Sequence, residues 1–222
     1  MPSDNKLISL EHRPIDGDRL FSPSTARNKE VVGDMVVKYL PKTGRILEVG
    51  AGTGEHAVHF AAHLPNVNWL PGDPDQTSRK SIAAWADHLR QSENLTNVAP
   101  PHQIDVCTED WGLEEISPLA GIVSLNMIHI SHFTSTKGLL AGAGRYLKNT
   151  GVLFIYGPFS RNGRHTAPSN EAFDTSLKSR DPSWGVRDLE NDIIPLAAKA
   201  GLELHAVEPM PANNFTVVFK KV

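Results

Sequence analysis

Arg45-Ile-Leu-Glu-Val-Gly-Ala-Gly-Thr-Gly-Glu-His-Ala-Val-His-Phe60 begins as a short apolar run, passes three glycines within Gly50–Gly54 and continues at helical spacing. The run Arg45–Val49 predicts a buried strand. His56–Leu64, with Ala57, Phe60, Ala61 and Leu64 on one face, predicts a helix. Glycines between a strand and a helix let the backbone turn tightly and approach a ligand with no Cβ in the way. The helix N-terminus behind them adds unpaired N–H groups and positive potential. An ordinary glycine turn is the plain alternative, and the ordered strand, loop and helix speak against it.

The glycine spacing discriminates between ligands. Dinucleotide-binding loops read G-x-G-x-x-G, whereas Gly50, Gly52 and Gly54 give G-x-G-x-G, with Glu55 in the third dinucleotide position. A carboxylate facing a pyrophosphate is unfavourable, so the loop suits a ligand with a cationic, zwitterionic end, such as S-adenosylmethionine. Asp73 lies 19 residues beyond Gly54, at the expected end of a second strand Val67–Leu70. A carboxylate there can accept from ribose hydroxyls. Asp105, ending an expected third strand His102–Val106, is a candidate acceptor for an adenine amino group. Strand-end Asp residues also cap turns, so each counts only with the loop.

Outward from the loop, Val32, Val36 and Leu40 predict a helix over Thr25–Leu40, ended by Pro41 and Gly44. Ser78–Leu89 and Lys137–Leu147 carry helical apolar faces. Gly121–Ile130 and Val152–Tyr156 read as strands. Ser169 is expected to cap a helix reaching about Lys178. Leu189–Ala200 is helical in pattern but holds Pro195, so it must kink or start late. Leu204–Val207 and Phe215–Lys220 close the chain. Alternating strands and helices predict an α/β fold with about seven strands. The sheet is expected to be mostly parallel, Rossmann-like, with an antiparallel C-terminal edge hairpin and helices on both faces. The expected organisation is an irregular N-terminal arm over 1–22 and one domain over 23–222. A substrate-covering insertion is expected near 157–188.

At 222 residues, with 40% hydrophobic and 21% charged, the chain suits one α/β domain. Lys and Arg number 22 against 25 Asp and Glu. Nucleic-acid binders usually show a basic excess because phosphate neutralisation dominates their affinity, so a small molecule, or a peptide, fits better than nucleic acid, and a small-molecule partner is expected. The single cysteine, Cys107, allows no intrachain disulfide and fits a reducing compartment. Met1–Arg19 carries no signal-peptide core, and no stretch approaches the roughly 18 apolar residues of a membrane span. The expectation is a cytoplasmic protein with no membrane partner, its oligomeric state open.

ILEVGAGTGEHAVHFA (46–61) resembles the first motif of class I S-adenosylmethionine-dependent methyltransferases. Further blocks are FSPSTARNKEVV (21–32), LNMIHI (125–130), IYGPF (155–159), TAPSNEAFD (166–174), DPSWGVRDLE (181–190) and MPANN (210–214). With them, nearly the whole chain is similar to the methyltransferase-like family called domain of unknown function 938. Two small departures are Ala120-Gly121, where many methyltransferases carry Asp, and Gly72, where Ser is expected. The resemblance implies the fold and the cofactor class, and leaves the acceptor open. It groups Arg27, Glu48, Gly50, Gly52, Gly54, Asp73, Asp105, Val106 and Asn126 as candidate cofactor residues.

Methyl transfer from a sulfonium rests mainly on in-line positioning, but an amine or hydroxyl acceptor must still lose its proton. His129, Tyr156 and Asp174 are candidate bases. Asn170, Trp184, Arg187 and Asn213 are candidate substrate contacts, with Arg187 as an anion anchor or, blandly, a surface bridge to Asp181 or Asp188. His56, His59 and His63 share one helix, and His129 and His132 form H-x-x-H. A polar helix face or pocket lining accounts for them better than a metal, and none is expected. The reading is methyl transfer to a small polar acceptor. The alternative is a cofactor-binding module acting through a protein partner without catalysis. A nicotinamide-dependent oxidoreductase is disfavoured by Glu55 and the final strand pair.

Overall fold

The computed structural model describes residues 12–222. Its main sheet has six strands: β3 (Gly44–Val49), β4 (Val67–Gly72), β5 (Leu119–Leu125), β6 (Leu147–Gly157), β9 (Leu202–Met210) and β10 (Asn214–Lys221), in the order β4-β3-β5-β6-β10-β9, and the short strands β7 (Phe159–Ser160) and β8 (Arg187–Asp188) pair in parallel apart from it. β4, β3, β5 and β6 run parallel, and β10 joins β6 and β9 antiparallel. Strand side chains alternate between faces, and that period divides the core. Leu47, Val49, Leu153, Ile155, Val217 and Phe219 pack on one side, while Ile46, Trp69, Val152, Phe154, Tyr156 and Val218 pack on the other. Helices α1 (Pro23–Tyr39), α2 (Glu55–His63) and α3 (Gln76–Glu93) cover the second side; α4 (Phe133–Tyr146) and α6 (Ile194–Lys199) cover the first.

The expected strand His102–Val106 does not form. Residues 97–102 follow the edge of β4, with Trp69 N–H donating to Asn97 O at 2.8 Å and Ala99 N–H to Trp69 O at 2.9 Å. Pro100 and Pro101 then offer no N–H. Contact resumes only where His102 N–H meets Pro71 O at 2.8 Å, as isolated bridges. Gly121–Ile130 also shortens: β5 stops at Leu125 because Asn126 turns left-handed, φ +59°, into a 3-10 turn over Met127–His129.

Local chemistry explains the helix ends. Ser22 Oγ accepts Thr25 N–H at 3.2 Å ahead of Pro23, which as the first helical residue loses no hydrogen bond. Asp75 caps α3 through Ser78 N–H at 2.7 Å. Ser169, expected as a cap, lies inside α5 (Pro168–Arg180), whose N-cap Ala167 has no side-chain bond. A π-helical turn over Leu189–Ile193, capped by Asp188, precedes α6 and leaves Pro195 in the first turn of that helix.

The arm is not irregular over the described residues 12–22. β1 (Ile15–Asp16) and β2 (Arg19–Leu20) form a tight hairpin. Leu20 N–H donates to Ser81 Oγ at 2.8 Å, Trp85 Nε1–H to Leu20 O at 2.9 Å, and the Phe21 ring stands edge-on to Trp85 at 4.9 Å. Residues 1–11 of the expected arm lie outside the described residues.

Candidate functional site

The glycine loop joins β3 to α2 and closes on β4. Gly50 and Ala51 N–H both donate to Gly72 O, at 2.9 and 3.1 Å, and Gly52 N–H donates to Asp73 Oδ2 at 3.0 Å. Gly52 and Gly54 have φ of +59° and +90°, a region that favours glycine. Their surroundings differ. A Cβ on Gly54 would stand 2.7 Å from Ile82 Cα, so that residue lets α3 pack against the loop. Among the described residues, a Cβ on Gly52 would meet only Arg13 Nη2 at 3.8 Å and Gly50 O at 4.0 Å. Gly52 therefore presents an open backbone face.

Asp73 is buried at the end of β4, its Oδ1 taking Asp75 N–H at 2.9 Å. Burial raises its pKa, and the two backbone N–H groups oppose that shift. Glu55 does not face the open side as expected. Its Oε2 takes Ser22 N–H at 2.6 Å and the Thr53 hydroxyl at 3.0 Å, so it clasps the arm to α2. Glu48 also turns away from the loop. It lies in the core under α2, accepts Trp69 Nε1–H at 2.8 Å, and burial pushes its pKa up to about 8. Arg27 is exposed on α1. Asp105 is exposed in a turn of its own making: its Oδ1 takes Cys107 N–H at 2.9 Å, beside buried Val106. An open concavity of about 490 Å³ lined by Gln103, Thr108 and Trp111 includes Asp105 alone among the candidate residues, so its size does not mark the site.

The three candidate bases do not converge. Tyr156 belongs to the α1 side, where its hydroxyl accepts Asn214 Nδ2–H at 3.0 Å and meets Asn28. His129 lies on the other side, fully buried, its ring edge-on to Phe159 at 5.0 Å. Its Nδ1 accepts Arg187 N–H at 3.3 Å, which assigns the proton to Nε2. Burial pushes its pKa down to about 3, so the ring is neutral. Nε2 has no partner among the described residues and lies where a Cβ on Gly157 would approach it to 2.6 Å. Asn126 Oδ1 borders the same point at 3.2 Å. Both oxygens of Asp174 are engaged by the fold, with Lys178 Nζ at 2.6 Å on Oδ2 and Val186 N–H at 2.8 Å on Oδ1.

Arg187 is neither an open anion anchor nor a bridge to Asp181 or Asp188. Its Nε donates to Ile128 O at 2.9 Å, and its Nη2 donates to Ser131 O at 2.7 Å and Ser183 O at 2.9 Å. The guanidinium sits over the Phe133 ring at 5.3 Å. It binds the segment after α5 to the turn that carries His129. Asn170 Nδ2 donates to Asn213 O at 2.9 Å, and Asn213 Nδ2 to Ser169 Oγ at 3.1 Å, which joins α5 to the turn before β10. Trp184 is half-buried, its N–H on Asp181 O at 3.0 Å.

Two residues of the site escape the sequence reading. Arg13 lies over the glycine loop, and nothing in a polar, aperiodic arm signals it. His165 places Nε2 3.5 Å from Asp174 Oδ2 and keeps Nδ1 buried without a partner among the described residues; a lone loop histidine carries no spacing by which to find it. Among the described residues no group of three or more His, Cys, Asp or Glu is placed to hold a metal, and no helix is long and apolar enough to cross a membrane.

A family model described as "Protein of unknown function (DUF938)" matches residues 19–221. Among solved structures, an O-methyltransferase described as putative from Nostoc punctiforme superposes with a TM-score of 0.73 at 16% identity, over 90% of this chain and 57% of that one. An O-methyltransferase family 2 protein from Planctomyces limnophilus, in complex with apigenin, gives 0.70 at 19% identity over 90% and 60%. A methyltransferase of calicheamicin biosynthesis in its SAH-bound form gives 0.71 at 15% identity over 90% and 54%. The chain thus spans little more than half the length of these structures. At such identities the likeness is one of fold.

Proposed function

The chain belongs to the DUF938 family, with a class I methyltransferase-like fold, and we propose that it is an S-adenosylmethionine-dependent methyltransferase acting on a small polar acceptor. The observation that carries the proposal is the open face of Gly52 beside buried Asp73. The N–H groups of Gly50, Ala51 and Gly52 are spent on Gly72 O and Asp73. A loop whose donors are used internally suits a ligand without a pyrophosphate, which argues against a dinucleotide more directly than Glu55 does. The SAH-bound and apigenin-bound neighbours support the same reading.

S-adenosylmethionine, when bound, would supply a methyl group activated on a sulfonium. In this reading Gly52 leaves room for the ligand, and Asp73 accepts from ribose hydroxyls while bracing the loop. Asp105 and Val106 border the adenine. Asn126 and His129 stand at the end of β5, where an acceptor would be oriented. His129 holds its proton at Nε2, so it donates to an acceptor oxygen rather than removing a proton from it. Segment 157–188 covers the acceptor, with Asn170, Trp184 and Asn213 beside it and Arg187 securing the cover. The cover would hold the acceptor in line and exclude water.

The slightly acidic charge balance favours a small-molecule enzyme over a nucleic-acid one. The test is calorimetric titration with S-adenosylmethionine, S-adenosylhomocysteine and NAD, followed by a labelled-methyl assay on metabolite extract. Micromolar-range binding of the first two, weak NAD binding and a labelled small product are expected. NAD binding alone would overturn the proposal; tight S-adenosylhomocysteine binding with no labelled product would overturn the enzymatic part and favour a binding module.

A further inference from the structure

Arg13 is placed by structure on both sides of it in space. Phe21 N–H donates to Pro14 O at 2.9 Å, the β1–β2 hairpin closes between them, and Leu20, Phe21 and Ser22 are fastened to Ser81, Trp85 and Glu55. The residue before Pro14 is thereby held over the glycine loop, with Nη2 3.8 Å from the position a Cβ on Gly52 would take. Its Nε is buried and has no hydrogen-bond partner among the described residues. Among the described residues no carboxylate lies within ion-pair distance of it. A guanidinium with a buried, unsatisfied donor is costly unless something else completes it.

The surroundings select what completes it. The N–H groups of Gly50, Ala51 and Gly52 are already used, and the carboxyls of Asp73 and Glu55 lie near enough to feel the charge of Arg13. Arg13 is the cation that stands over Gly52, so a ligand anion seated there would take its counter-charge from it. A planar carboxylate matches the two-pronged donor geometry of a guanidinium.

We propose that Arg13 receives the α-carboxylate of the methyl donor, so that the N-terminal arm selects ligands with an amino-acid end over bare nucleosides. The inference rests on the cofactor reading above. It adds a residue and a selectivity to that reading.

The experiment is a ligand pair on the full chain. Calorimetry would compare S-adenosylhomocysteine with 5′-methylthioadenosine, which keeps the nucleoside and thioether and lacks the amino-acid end. Wild type, Arg13→Ala and Arg13→Lys would be titrated, and melting curves would check that each is folded. Arg13→Ala is expected to weaken S-adenosylhomocysteine at least tenfold and 5′-methylthioadenosine less than twofold, with Arg13→Lys in between. An equal loss for both ligands would mean that the arm only covers the site, and no change for either would remove Arg13 from it; both results overturn the proposal. Wild type that binds neither ligand would instead refute the cofactor reading itself, and this inference with it.

Discussion

Above β3 and β4, the Gly52 backbone face is open and Arg13 Nε lacks a partner among the described residues; beyond β5 and β6, Arg187, Asp174 and Asn170 each spend hydrogen bonds on the fold. Both regions read as polar and ligand-facing in sequence. They differ in where the hydrogen bonds go. A buried polar group must be satisfied by something, and a cluster of Asp, Asn and Arg can satisfy itself. A glycine held at positive φ beside open space has no such use for packing. On the acceptor side, the buried groups without a partner among the described residues include two ring nitrogens, His129 Nε2 and His165 Nδ1.

The contrast breaks most directly at Gly52. Gly52→Val puts a branched side chain into the open face and strains the backbone by about 1–2 kcal/mol. Affinity for S-adenosylhomocysteine should fall at least a hundredfold, about 3 kcal/mol, with the domain still folded by circular dichroism. Full affinity in a folded variant would show that the open face holds no ligand.

Arg187→Ala should act in the opposite way. Losing three bonds to carbonyls, on a half-buried side chain, should lower stability by about 2–3 kcal/mol, read as the urea midpoint, while S-adenosylhomocysteine affinity stays within twofold. A variant of native stability with lost turnover would return Arg187 to substrate anchoring and erase the difference between the regions.

Glu48 gives a pH-dependent effect on stability. Its folded pKa, near 8, lies above the unfolded value of 4.5. Its contribution is therefore complete below pH 4.5 and is lost as pH rises through 8. Gln cannot ionise and still accepts from Trp69. Glu48→Gln should thus match wild type near pH 4.5 and become progressively more stable than it as pH rises toward 8. Parallel stability curves from pH 4.5 to 8 would show that Glu48 is ionised in the fold and nearer to solvent than its burial indicates.

Much of the fold is readable because apolar periodicity has few other uses. The strands at Ile46, Val67 and Val152 and the helices through Phe60, Ile82 and Leu139 fall where their patterns place them. The failures have local causes. His102–Val106 reads as a strand by composition, but the prolines just before it remove the donors that would start the pairing. Asn126 ends β5 early by turning left-handed, which apolar neighbours on both sides conceal. In the candidate site the glycine loop and Asp73 were legible, since both belong to one strand–loop–helix pattern. Arg13 was not, because its position depends on a hairpin docked 60 residues further along the chain. The roles of Asp174 and Arg187 were not either, since partners such as Ile128 O and Val186 N–H are backbone atoms that composition does not describe.

The proline pair at 100–101 has one more consequence. A β-sheet that ends on a bare strand is a template for a strand from another molecule, and proteins blunt such borders to avoid growing into fibres or sheets shared between chains. Here the outer rim of β4 is already occupied at Trp69 and Pro71 by the 97–102 segment. The outward side of that segment carries two adjacent residues that cannot donate. The interruption that cost the domain a seventh strand also closes this flank against recruitment, and a crowded solution of the protein is protected there from edge-to-edge aggregation.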